Sequence, residues 1–130
     1  MSSTPTFFST PKIGIATIST ANTGRDGSGT LGTVFTAGSN GSRIEHIDVI
    51  AQGTTTAGRV RLFIYNGATA YLWREIAVAA LVPSGTVGAF RSSVDCSDPN
   101  NLLVLPSGYS LRASTHNAET FNVIAIGADA

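Results

Sequence analysis

Two histidines, one cysteine and a few acidic clusters are the side chains of this chain with the types for catalysis or metal binding. His46 and His116 show neither H-x-H nor H-x3-H spacing, and neither stands at ligand spacing from Cys96, so no metal motif is present in the sequence. Cys96 sits between Asp95 and Asp98, whose charges disfavour the thiolate that a nucleophile needs, and it reads as a structural thiol. Asp95 and Asp98 with Asn100 and Asn101 have the oxygens for a cation, but such side chains hydrogen-bond their own backbone, and turn capping is the simpler account. Asp26 lies in a loop that lacks the further oxygens and terminal glutamate of a calcium loop. Serines are abundant, yet no G-x-S-x-G elbow occurs, and a spatial triad built on either histidine would need an orienting partner that no local pattern supplies. Gly27-Ser28-Gly29-Thr30-Leu31-Gly32 matches G-x-G-x-x-G, whose glycines wrap a pyrophosphate where a strand leads into a helix. No helical period follows it, and fourteen glycines make a chance match easy. The chain is therefore read as a non-enzyme without metal or cofactor.

The elements that must position any site are strands. In Arg59-Val60-Arg61-Leu62-Phe63-Ile64-Tyr65 the residues Val60, Leu62 and Ile64 fall on one face, and Arg59, Arg61, Phe63 and Tyr65 on the other. Asn66-Gly67 follows, a dipeptide suited to the positive φ angles of a tight hairpin turn. Ala70–Ala80 runs back until Pro83-Ser84-Gly85 stops it. The expected hairpin has an aromatic outer face of Phe63, Tyr65, Tyr71 and Trp73.

Further strands are expected at residues 13–19, 31–36, 43–52, 87–94, 102–105, 109–115 and 120–126, separated by turn-forming stretches. In the third of these expected strands, Ile47, Val49 and Ala51 share one parity while Ile44 and Ile50 share the other, which indicates a bulge or burial on both faces. About eight or nine strands without a helical period argue for an all-β, antiparallel sandwich. A jelly roll of about eight strands fits the uneven loops best, with an immunoglobulin-like topology left open.

The length of 130 residues suits one domain. Residues 13–130 form that domain, and residues 1–12 an extended N-terminal arm in which Pro5, Phe7, Phe8 and Pro11 disfavour self-contained structure. Phe7 and Phe8 either fold back on the domain or dock on a neighbour. Charged residues make up 12 % of the chain and balance to zero, which excludes the basic field of a nucleic-acid binder or of a protein drawn to an anionic membrane. So little surface charge suggests a chain largely covered by neighbours. The start lacks the basic and apolar regions of a signal peptide, and with a lone cysteine the expected folding compartment is a reducing cytoplasm.

Gly53-Thr54-Thr55-Thr56-Ala57-Gly58 followed by Arg59–Ile64, then Leu105-Pro106-Ser107-Gly108-Tyr109 with Leu111–Thr115, resemble segments of small proteins encoded in the head modules of tailed bacteriophages. The closing Ala118–Val123 with Gly127 is similar to them too, and the resemblance covers residues 41–129. It implies a capsid cement or decoration protein: a jelly-roll subunit, without catalytic residues, bound outside the major capsid protein shell and strengthening it after expansion. The implied location is the virion surface after assembly in the host cytoplasm, and the implied partners are the major capsid protein and further copies of the chain as a dimer or trimer. The residues expected to bind partners are Pro5, Phe7, Phe8, Pro11, Arg59, Arg61, Tyr65 and Trp73. The rival reading is a receptor-binding or tail-associated sandwich in which Tyr65, Tyr71 and Trp73 stack on a sugar.

Overall fold

The computed structural model describes residues 8–130. It contains nine strands among these residues: β1 (Thr10–Ile18), β2 (Gly32–Thr36), β3 (Ser42–Ala51), β4 (Gly58–Tyr65), β5 (Ala70–Val78), β6 (Arg91–Asp95), β7 (Leu103–Leu105), β8 (Ser110–Thr115) and β9 (Phe121–Asp129). Two antiparallel sheets pack as a sandwich. The first has the order β1-β9-β3, with β6 and β7 each pairing a different part of β3, and the second has the order β2-β8-β4-β5.

Alternation along the strands builds the core. Ile44, Ile47 and Val49 from β3, Val123 and Ala125 from β9, Val60 and Leu62 from β4, and Leu111 and Ala113 from β8 meet between the sheets and are fully buried. The parity change in β3 is a bulge, with the register slipping between Ile44 and His46 against β9. Gly127 faces it, and a Cβ there would collide with the Arg43 carbonyl. Cys96 is buried in the core, where desolvation and then the Asp95 charge raise its thiol pKa to about 11, in keeping with a structural thiol.

The element boundaries correct the expected ones in three places. β1 begins at Thr10, so Pro11 and Lys12 belong to a strand and not to the arm. Pro11 is tolerated because β1 is an edge strand, where a missing N–H breaks no ladder on the open side. Residues 87–90 precede β6 and are not part of it; the preceding segment is a turn in which Ser84 N donates to Val87 O (2.8 Å). Asn66 pairs with Thr69 through Asn66 N and Thr69 O (3.1 Å), so Gly67-Ala68 form the centre of the hairpin turn. Gly67 has φ +95 and Ala68 does not have a positive φ, the pattern of a type II′ turn. The Asn66 side chain caps it by accepting from Ala68 N and Thr69 N.

Candidate functional site

Strand β4 places Arg59, Arg61, Phe63 and Tyr65 on the outward side of the second sheet, as alternation requires, but that side is not open to solvent along its length. Arg61 is 1 % exposed and Phe63 is fully buried. Over Arg61 the cover is the segment Ser19–Leu31, whose composition marks it only as a loop. It crosses the outward side: Ala21 bridges to Thr115, and Asn22 N donates to Thr115 O (2.8 Å). Asn22 also organises the segment, its Nδ2 donating to Ser28 O (2.9 Å) and Thr30 O (3.0 Å) while its Oδ1 accepts from Gly24 N (3.0 Å).

The glycine motif has a structural use here. Gly27 (φ +85) lies so close to the Ala70 carbonyl that a Cβ would clash, and a Cβ on Gly29 (φ +79) would meet the Asn22 side chain at 2.8 Å. These glycines let the segment lie flat on the sheet. No helix follows them, so the arrangement is not that of a dinucleotide fingerprint.

Beneath the segment, every nitrogen of the Arg61 guanidinium has a partner. Nε donates to Glu75 Oε1 (2.9 Å), Nη1 to Asn22 O (3.2 Å), and Nη2 lies 3.2 Å from His116 Nδ1. A guanidinium has no acceptor, so Nδ1 accepts and the neutral ring carries its proton on Nε2. Arg25, from the segment itself, also pairs with Glu75. Hydrogen bonds from Arg25 and then Arg61 hold the Glu75 carboxyl below its ordinary pKa. Arg61 is thus a clamp for the segment and not a docking side chain, because its charge is desolvated and already matched.

The expected aromatic face is also rearranged. The register between β4 and β5 slips so that Leu62 faces Arg74 and Phe63 faces Leu72, leaving Trp73 as the bulged residue. Trp73 packs against the core, with the Arg74 guanidinium 4.6 Å from its ring centre. Tyr71 stands opposite Ile64, on the other side of the sheet from Tyr65, and is 57 % exposed. Arg112 lies with its guanidinium carbon 3.8 Å from the centre of the Tyr65 ring. Tyr65, Tyr71 and Trp73 therefore do not form one stacking platform.

The crossing segment leaves a cleft on each side. One, of about 430 Å³, is lined by Arg25, Arg59, Arg61 and His116 together with small apolar residues. The other, of about 560 Å³, lies between residues 26–31 and the β4–β5 turn, with Tyr65 and Arg112 in its lining. Among the described residues no group of three His, Cys, Asp or Glu side chains could hold a metal ion. His46 contacts Asp48 at 3.0 Å, and Asp48 also binds Arg91 (3.3 Å), a surface chain on the first sheet far in sequence from His116. Asp95 and Asp98 cap turns by accepting from Ser97 N and Asn100 N.

The opposite, outward side of the first sheet carries an apolar strip. Ile13 and Ile15 on β1 are 59 % and 58 % exposed, and Ile126, paired with Ile13 on β9, is 45 % exposed. Pro11 is exposed on the same side of β1, and Phe8 precedes the strand. Pro5 and Phe7 lie outside the described residues. Arg59 is exposed beside the arginine-lined cleft. The candidate residues thus divide between the two outward sides of the sandwich, while Arg61 and Trp73 serve the fold.

Comparisons with family models, with curated proteins and with solved structures found no match to this chain.

Proposed function

We propose that this chain is a non-enzymatic structural protein of a phage virion that binds the outside of the capsid and stabilises contacts between major capsid protein subunits. The observation that carries the reading is the strip of Ile13, Ile15 and Ile126 on the first sheet. A sheet side with adjacent exposed isoleucines is suited to burial against another protein. Because the strip lies on paired strands, docking it costs little ordering entropy, and a repeated lattice multiplies a weak contact by avidity. The strand pairing supports the jelly-roll reading: β1 pairs β9, β2 pairs β8, β3 pairs β6 and β7, and β4 pairs β5, the nesting of a long hairpin folded over into two sheets. The phage-head resemblance supplies the partner.

The test is cryo-EM of expanded phage heads lacking the protein, incubated with wild-type chain or with Ile13→Ser/Ile15→Ser. Wild-type density at fixed lattice positions, with the first sheet toward the shell and at least tenfold weaker binding by the variant, is the expected result. Bare heads, or equal occupancy by the variant, would sink the proposal. The tail-associated rival loses the three-ring platform it relied on.

A further inference from the structure

The geometry points to a second binding site, for a saccharide that carries a carboxylate, in the cleft between residues 26–31 and the β4–β5 turn. Arg112 is its centre. Of the eight basic side chains, Lys12, Arg25, Arg43, Arg61 and Arg91 lie within ion-pair distance of carboxylates, Arg74 donates to the carbonyls of Trp73 and Asn100, and Arg59 stands exposed at the other cleft with no aromatic ring among the described residues to fix it. Arg112 has no carboxylate partner among the described residues, and its one side-chain hydrogen bond is a long one from Nε to Ser110 Oγ (3.4 Å). The guanidinium is held at one height by the Tyr65 ring at 3.8 Å. A planar fork fixed in this way, with both terminal nitrogens unclaimed, is built for bidentate capture of a carboxylate.

The rest of the lining decides what carries that carboxylate. Ser28, Thr30, Tyr65 and Thr69 supply hydroxyls, and Asp26 supplies an anion. Asp26 Oδ1 accepts from Ser28 N (3.1 Å) and Ser28 Oγ (2.6 Å), contacts that hold its carboxyl below the usual pKa and leave Oδ2 for another donor. A dianion such as phosphate would carry twice the like charge of a carboxylate toward Asp26 and, as a bare ion, would bring no hydroxyl to donate to it. A neutral sugar could accept from Arg112 but would leave its charge unmatched, and it would find one face of Tyr65 already covered. A uronic or sialic acid residue uses both ends, its carboxylate on Arg112 and a ring hydroxyl donating to Asp26. The volume of about 560 Å³ lies within the usual range for ligand-sized clefts, and the wall is pre-organised by Gly27 against Ala70 and Gly29 against Asn22. On a capsid covered by the first sheet this cleft would face the medium, but the assignment does not depend on that location.

The test uses the intact protein without capsids. Heteronuclear NMR titration is run with sialyllactose and a galacturonate disaccharide, with lactose as the neutral control and glutarate as the simple carboxylate control. Both acidic saccharides are expected to shift the resonances of Arg112, Tyr65 and Ser28, with lactose and glutarate at least tenfold weaker. Arg112→Gln, which stays polar but is shorter and lacks the charged fork, is expected to weaken binding about tenfold to a hundredfold, with the melting temperature lowered by a few degrees at most, because the fold loses only the Tyr65 stack and the long Ser110 bond. Arg112→Lys should fall with it, since a point charge does not replace the fork. Failure of both acidic saccharides to bind at millimolar concentration, equal binding of lactose or glutarate, or full affinity in Arg112→Gln would each overturn the assignment.

Discussion

Arg61 can be buried with its charge because Glu75, the Asn22 carbonyl and His116 divide its donors among them, and removing any one partner leaves a desolvated N–H. Glu75 is the member that titrates in acid. Its pKa is depressed in the folded protein, so the unfolded chain binds a proton more readily. The resulting stabilisation is complete above the unfolded value of about 4.3 and is lost as pH falls toward the folded value. Glu75→Gln should therefore lower the urea midpoint at pH 7, and the gap to wild type should narrow steadily from pH 5 to pH 3. A gap independent of pH would mean that Glu75 does not act through its charge. Alternation alone placed Arg61 correctly on the outward side of β4. It could not reveal that this side is roofed, because the roof is laid down by Asn22 and Arg25, about 40 residues earlier.

At the scale of elements, the segment 19–31 departs most from its sequence-level description. Its runs of Asn, Gly and Ser are legible as turns, but nothing periodic marks which surface they rest on. The stretch that resembles a phosphate loop is glycine-rich because backbone must pass close to Ala70 and Asn22. Gly27→Ala tests this directly. It combines a positive φ with a collision against the Ala70 carbonyl, and should cost about 1–3 kcal/mol in urea unfolding. It should also speed trypsin cleavage after Arg25 as the segment lifts. Gly53→Ala is the control: its added Cβ would meet nothing within 4 Å, so it should be near neutral. Equal behaviour of the two variants would show that the segment is not held by this contact. The strands themselves were far more legible, since period-2 patterns survive burial on one side. Trp73 lies toward the core because the pairing of Tyr65 with Ala70 sets Tyr71 opposite Ile64 and brings Trp73, two residues on, to the side of Leu62; alternation read along one strand does not fix that cross-strand register.

At the scale of the whole molecule, the sandwich separates an apolar side on the first sheet from a roofed, charged side on the second, and β1 is where the N-terminal residues join the apolar side. That junction revises how an arm should be tested. Removing residues 1–12 also removes Thr10 and Pro11 from the pairing with β9. It deletes Lys12 as well, whose Nζ binds the Thr36 carbonyl and Asp129 (3.3 Å) and lies 4.9 Å from the centre of the Phe35 ring. Loss of these contacts at the corner where β1 meets β2 should lower the melting temperature by roughly 5 °C or more, so weaker capsid binding by that truncation would not report on the arm. Removing residues 1–8 leaves Ser9 N bonded to Asp129 O (3.1 Å) and all of β1 in place. It should melt within about 2 °C of the full chain, and its affinity for expanded heads then reads the contribution of residues 1–8, Pro5, Phe7 and Phe8 among them. A loss of tenfold or more with the fold intact would assign these residues to the capsid contact. Undiminished binding would leave the isoleucine strip as the docking surface and remove the arm from the mechanism.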